Sequence, residues 1–147
     1  MNQVKRRLLY LRSKVARILY RWFPVYKMSG AVGVLRQGGR ILVIERADSM
    51  GYCFPGGLSK RNETGEETVR RELLEETGLL MTSARFVLQY PETGGFSEFT
   101  SVYEITAEGE LRGSGEGRPV WLTLSEIESG IYRPQMAVLE LLRSRRG

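Results

Sequence analysis

Three glutamates, Glu72, Glu75 and Glu76, are spaced so that they could bind a metal ion. Steps of three and four residues place side chains on one face of an α-helix. Surface helices usually offset such like charges with a cation four residues away, as Glu66 and Arg70 do here. Glu72 and Glu76 lie four residues from each other, and neither has a cation at that spacing. Because hard divalent cations prefer oxygen ligands, the pattern predicts either a cation site or a solvated acidic stripe.

The composition narrows the chemistry that these carboxylates could support. The chain has 147 residues, no histidine and a single cysteine, Cys53. A histidine triad, a histidine-ligated or cysteine-rich zinc site and an internal disulfide are therefore excluded. Acid–base chemistry must be carried out by carboxylates, lysine, tyrosine or metal-bound water.

The elements that position the glutamates are predicted by capping and periodicity. Thr64 and Glu67 form a capping-box pattern at the start of a helix that runs to Thr77, and Gly78 is typical of a helix end. The other predicted elements are strands over 31–35, 41–44, 52–57, 84–90, 99–106 and 120–124, a short helix capped by Ser125, and a final helix from Pro134 to about Arg146. Because strands and helices interleave, the expected class is α/β with a mixed sheet.

The acidic helix lies inside a longer pattern that resembles the complete Nudix box of the Nudix hydrolase family. All seven fixed residues and both aliphatic positions match, in the order Gly57, five residues, Glu63, seven residues, then Arg71-Glu72-Leu73-x-Glu75-Glu76-x-Gly78-Leu79. The resemblance implies a Nudix-like α/β/α sandwich with a mixed sheet. It also implies a loop–helix–loop that holds Mg²⁺ or Mn²⁺ against a diphosphate.

The resemblance assigns metal-binding roles within this box. Glu72, Glu75 and Glu76 match the family's metal ligands, and Gly57 matches the glycine whose carbonyl can also bind the metal. Arg71 matches the arginine that orients a catalytic glutamate. The two remaining assignments are structural, since Glu63 matches a residue that braces the loop by charge pairing and Gly78 fits a left-handed helix end.

A further ligand or base is expected from a later loop, since family members often supply one just before a tryptophan-bearing strand. Here Glu116 precedes Trp121 in a glycine-rich segment. Without histidine, Glu72 or Glu116 is the expected general base. Three other glutamates compete with Glu116 for this role: Glu98, Glu108 and Glu110.

The box loop carries two cations that could contact substrate phosphates, Lys60 and Arg61, and ordinary solvation is the competing interpretation. Asn62 stands where many family members have glycine, and asparagine can adopt the same left-handed turn. Among the aromatic residues, Phe96 is a candidate for stacking on a base, with simple packing as the alternative.

The net charge of +5 conceals two unlike parts of the chain. Residues 1–44 contain ten Lys or Arg and no acid. Within them, residues 2–23 predict a basic amphipathic helix that ends at Pro24, which divides the chain into an N-terminal helix at 1–27 and a Nudix domain at 28–147. The apolar seam of this helix must be covered by its own domain, a second copy in a homodimer, or a lipid interface. It consists of Val4, Leu8, Leu11, Val15, Ile18 and Trp22.

These observations predict a cytoplasmic, metal-dependent pyrophosphohydrolase that uses water to cleave a nucleoside diphosphate linked to another group. A nucleoside triphosphate or a small nucleotide derivative is the expected substrate. Two alternatives remain open: a Nudix-fold sensor that binds a nucleotide without turnover, and a protein whose main role is membrane or partner docking through the N-terminal helix. The basic face of that helix would add weak attraction to anionic lipid or nucleic acid.

Overall fold

The computed structural model of the chain describes residues 28–91 and 98–145. Its strands are β1 (Ser29–Gln37), β2 (Arg40–Arg46), β3 (Tyr52–Cys53), β4 (Gly56–Leu58), β5 (Leu80–Pro91), β6 (Phe99–Glu108) and β7 (Gly117–Leu122). Its helices are α1 (Gly65–Thr77), α2 (Leu124–Glu128), a 3₁₀ turn (Arg133–Gln135) and α3 (Met136–Ser144). The predicted N-terminal helix and Phe96 lie outside the described residues.

The strands form one mixed sheet with β1 at its centre. Along its length β1 pairs in parallel with β6, and on its other edge it pairs antiparallel with β4 and then β2. The strand order is β3-β2-β1-β6-β5, with β7 paired to β2. The predicted hairpin between β1 and β2 is confirmed, and Gly38 and Gly39 adopt the positive φ angles of its turn.

Two apolar clusters cover the two faces of this sheet. On one face α1 packs through Val69 and Leu73 against side chains such as Ala31, Leu42 and Ile105. On the other face lie residues of α2 and α3, which pack against alternate side chains of the same strands. The predicted α/β/α sandwich is therefore confirmed.

Three predicted boundaries are wrong. The strand expected over 52–57 is split into β3 and β4, because the Pro55 carbonyl turns to accept a bond from the Gly33 amide (2.8 Å). The strand expected over 120–124 ends at Leu122, and Leu124 begins α2. Thr123, and not Ser125, caps that helix, because its side chain accepts from the Glu126 amide.

The C-terminal helix also differs from the prediction. Pro134 lies in the 3₁₀ turn, and α3 follows from Met136 to Ser144. Among the described helices, none is long and apolar enough to cross a membrane.

Candidate active site

The position of helix α1 is fixed by a cap at its start, a buried apolar face and a glycine at its end. The Thr64 and Glu67 capping box is formed at the first turn. Gly78 ends the helix with φ of 77°, which confirms the predicted left-handed position. Val69 and Leu73 are fully buried against the sheet, so the face that bears Glu72 and Glu76 is turned toward β4.

Close packing of α1 on β4 depends on a glycine. A Cβ added to Gly57 would lie 2.6 Å from Oε1 of Glu72, which is closer than real Cβ atoms come to other heavy atoms. The missing side chain therefore lets the Glu72 carboxylate lie directly against the strand backbone. The expected role of the Gly57 carbonyl as a metal ligand stays a prediction.

Arg71 connects the loop before α1 to the acidic face. Its Nε and Nη2 donate to the two oxygens of Glu63, each at 2.9 Å, in a bidentate pair. Its Nη1 donates to Glu72 at 2.8 Å, and Nη2 also donates to the Leu58 carbonyl at 3.1 Å. The Arg71 hydrogen bonds, with those from the Lys60 amide and the Thr68 hydroxyl, lower the pKa of Glu63 to about 2. The loop is thus braced by an ionised carboxylate.

Glu76 is the electrostatically strained member of the cluster. The residue is only 8% exposed, and its Oε2 has no hydrogen-bond partner among the described residues. Burial first, and then the charges of Glu72 and Glu116, raise the pKa of Glu76 well above its ordinary value. Burial also raises the pKa of Glu72, against the lowering effect of Arg71. A buried carboxylate oxygen without a hydrogen-bond partner marks a place where a cation would be stabilised.

The three glutamates do not form a closed cage. The Glu75 side chain is 55% exposed and reaches Arg71 at 3.4 Å. Within residues 28–91 and 98–145, no three acidic side chains are gathered closely enough to hold a metal ion as they stand. This spread has a physical reason, since like charges separate and both Glu72 and Glu75 turn to the one guanidinium beside them.

The residues present nevertheless fit a hard divalent cation such as Mg²⁺ or Mn²⁺. The available donors are carboxylate and carbonyl oxygens, which are the ligands these ions prefer. The unpartnered oxygen of Glu76 and the space against Gly57 lie beside Glu72. Glu75 could join them by a change of side-chain rotamer, because it is exposed.

Glu116 is brought to this cluster by the loop before β7. The Glu116 carbonyl accepts from the Ala47 amide at 3.0 Å, and its exposed carboxylate is close enough to raise the pKa of Glu76. Of the competing glutamates, Glu108 and Glu110 lie near the C-terminal end of α1, whereas Glu98 lies at the start of β6, beside the N-terminal end of β1. The Glu98 amide bonds to the Met28 carbonyl, Glu108 ends β6, and the Glu110 carbonyl lies beside Gly78.

Comparison with known proteins agrees with this geometry. Residues 27–140 match the family model of the NUDIX domain. The chain belongs to the Nudix hydrolase family. It is 33% identical over 118 residues to a MutT-like protein of Streptomyces ambofaciens, covering 71% of this chain and 68% of that protein. It is 30% identical over 118 residues to the 8-oxo-dGTP diphosphatase of Haemophilus influenzae, covering 74% and 85%.

The fold comparison gives the same family. The crystal structure of the MutT Nudix hydrolase from Burkholderia pseudomallei matches with a TM-score of 0.61 and 25% identity, covering 76% of this chain and 95% of that one. A Nudix domain therefore contains the acidic helix α1, the close contact between Gly57 and Glu72, and the Arg71–Glu63 ion pair.

The cations of the Nudix box loop are exposed at the edge of the site. Lys60 and Arg61 both point into solvent, in a turn that Asn62 completes with φ of 64°. The Lys60 amide, and not its side chain, holds Glu63 at 3.1 Å. Both ammonium and guanidinium groups are thus free to meet an anionic ligand.

A second basic element of this Nudix domain was missed by sequence reasoning. Arg46, at the end of β2, donates through Nε to Asp48 at 3.0 Å, and its guanidinium lies 4.3 Å from the Tyr132 ring centre. It also acts on the Cys53 thiol, whose pKa is raised to about 12, first by burial and then by the charge of Glu76. Only the fold brings Arg46 to the Tyr132 ring, because no local motif links the two residues.

Proposed function

We propose that this Nudix hydrolase is a metal-dependent pyrophosphohydrolase of nucleoside triphosphates or small nucleotide derivatives. The observation that carries the proposal is the buried, unpartnered carboxylate oxygen of Glu76 beside Glu72 and Gly57. An uncompensated buried acid is costly, and a bound cation would offset that cost. The similarity to the H. influenzae protein named as an 8-oxo-dGTP diphosphatase favours a nucleoside triphosphate substrate.

The residues of the box divide the work of holding the cation. In this proposal Glu72, Glu76 and the Gly57 carbonyl form the inner binding surface, and Glu75 swings from Arg71 to join them. Mg²⁺ or Mn²⁺, when bound, would supply charge stabilisation for the phosphates and lower the pKa of a bound water. Arg71 keeps Glu72 in place through its 2.8 Å bond while Glu63 anchors the other side of the guanidinium.

A glutamate of this chain is assigned as the general base that accepts the proton of the attacking water. Glu116 is the preferred base, because its carboxylate is exposed and close to Glu76, whereas one oxygen of Glu72 is already occupied by Arg71. Glu72 is the alternative base. In either case the carboxylate accepts the proton as the water oxygen bonds to phosphorus and the phosphoanhydride bond breaks.

Substrate phosphates are proposed to meet Lys60 and Arg61 at the rim of the site. Both side chains are exposed on the loop that Glu63 and Arg71 brace. Their positive charge would offset the repulsion between the phosphates and the glutamates. Phe96 keeps its proposed stacking role, although it lies outside the described residues.

The experiment is a substrate panel on the full chain, assayed with Mg²⁺, with Mn²⁺ and with a chelator. The panel contains the common nucleoside triphosphates, 8-oxo-dGTP and nucleoside diphosphates linked to sugars. We expect divalent-dependent release of a nucleoside monophosphate with pyrophosphate from at least one triphosphate. Nucleotide binding without cleavage under all conditions would contradict the proposal and identify the chain as a sensor.

A further inference from the structure

A basic groove lies on the face of the sheet opposite to α1. It has a volume of about 650 Å³ and is lined by residues from β1, β5 and β6 and by the end of α3. Val34 and Val102 belong to the core cluster on the α3 side, and side chains two residues apart in a strand share a face. Arg36 and Glu104 therefore face the α3 side. The candidate active site lies on the α1 side, so the two do not overlap.

Two of the three arginines that line this groove pair with one carboxylate, that of Glu104. Arg85 of β5 pairs with one oxygen of Glu104, and Arg145 donates to the other oxygen at 2.7 Å. The two guanidinium groups lower the pKa of Glu104, so this acid stays ionised at neutral pH. Glu104 thus holds two guanidinium groups, drawn from distant parts of the chain, at one place.

The third arginine has no such partner. Among the residues that the structure describes, Arg36 forms no ion pair and its side chain is exposed in the same groove. Three guanidinium groups against one carboxylate leave two positive charges uncompensated. The hydroxyl groups of Ser83 and Thr106, which bond to each other, add neutral donors to the wall.

We propose that this groove is a second anion site of the protein, built to bind a phosphate-bearing ligand. A guanidinium group has five N–H donors in a fixed fork, and each of these arginines keeps donors that Glu104 does not use. One carboxylate ligand would occupy a single fork, whereas the several oxygens of a phosphate or pyrophosphate can accept from two or three. The site does not depend on the proposed hydrolysis.

The test measures pyrophosphate binding to the full chain by backbone NMR shifts, with a chelator present so that no divalent cation can recruit the anion to the acidic cluster. We expect saturable shifts at Arg36, Ser83 and Thr106. Arg36→Gln should weaken binding about tenfold, as loss of one charge-assisted contact implies. Arg85→Gln, which leaves the Arg145 pair in place, should do the same. Arg118→Gln is the matched control, because this exposed arginine pairs with Glu45 elsewhere.

Titrations with pyrophosphate and with a nucleoside monophosphate identify the source of the phosphate. If only pyrophosphate binds, the ligand is a free polyphosphate anion. If the nucleoside monophosphate binds equally well, the ligand is the phosphate group of a larger molecule. Arg36→Gln should retain wild-type hydrolysis, since Arg36 lies outside the candidate active site. Shifts confined to Lys60 and Arg61, or equal binding by Arg36→Gln and Arg118→Gln, would overturn the proposal.

Discussion

Among single residues, Gly57 decides how closely the Glu72 carboxylate approaches β4. Gly57→Ala places a Cβ 2.6 Å from the end of a flexible side chain, so Glu72 must move while the strand stays in place. We expect the variant to fold and to lose roughly 10²-fold in kcat, because small misplacements of reacting groups have effects of that size. Steady-state kinetics with a thermal melt measures both quantities.

The matched control for this change is Gly113→Ala. A Cβ there would meet only the Gly117 carbonyl at 3.8 Å, which is an ordinary contact. Equal activity of the two variants would show that the close approach at Gly57 has no catalytic role.

The assignment of Glu116 is tested by removing its charge. Glu116→Gln should lower kcat by roughly 10²-fold or more, in the range of general-base losses, with little change in stability because the side chain is exposed. Glu98→Gln is made in parallel, since Glu98 is a rival for the same role. If Glu98→Gln loses activity and Glu116→Gln does not, the assignment is wrong.

At the scale of elements, the brace between the box loop and α1 makes stability depend on pH. The folded pKa of Glu63 is about 2, below its ordinary value of 4.5. Its pairing with Arg71 therefore stabilises the fold above pH 4.5, and this contribution is lost as the pH falls toward 2. Glu63→Gln should lower the free energy of unfolding by roughly 1.5–3 kcal/mol at neutral pH.

Chemical denaturation at several pH values checks this sign. The difference between wild type and Glu63→Gln should shrink steadily from pH 5 to pH 2. Glu66→Gln, which removes only the exposed pair with Arg70, should change the free energy of unfolding by less than about 1 kcal/mol. A difference for Glu63→Gln that stays constant over this range would contradict the brace.

The elements differ in how much of them the sequence could predict. The box helix was predicted in full, because its cap, its buried face and its glycine end are all local signals. The break between β3 and β4 was not, since it depends on bonds from Gly33 and to Gln135 that only the assembled sheet provides. Arg46 was missed for the same reason, because its partner Tyr132 is remote in sequence.

Within the site, spacing predicted which carboxylates share a face but not their separate environments. Glu76 is buried and Glu75 is half-exposed, although they are adjacent in the chain. This difference arises from the rotation of α1 against the sheet, which the apolar residues set. Glu75 turns toward Arg71 because the neighbouring carboxylates repel one another. The spacing of residue types in the sequence does not predict which side-chain rotamer results.

At the scale of the whole molecule, residues 28–147 are predicted to act as a hydrolase on their own. The family match spans residues 27–140, and the residues placed at the candidate site, from Gly57 to Glu116, all lie within it. Deleting residues 1–27 should therefore preserve kcat. If a second copy covers the apolar seam of the predicted helix, the full chain should sediment as a dimer and the truncated chain as a monomer, whereas cover by its own domain or by lipid leaves the full chain a monomer. A full-length monomer at micromolar concentration would exclude the homodimer.

The proposed metal site is tested by pyrophosphate release from the preferred nucleoside triphosphate, titrated with Mg²⁺, for wild type and Glu76→Gln. We expect wild-type activity to saturate with Mg²⁺. Glu76→Gln should lose most activity and need more Mg²⁺, while its metal-free stability holds or rises because the neutral amide avoids the burial cost and the repulsion from Glu72 that disfavour the ionised carboxylate. Glu66→Gln on the same helix should behave as wild type. Near-wild-type turnover by Glu76→Gln at low Mg²⁺ would contradict the role of Glu76 as a metal ligand.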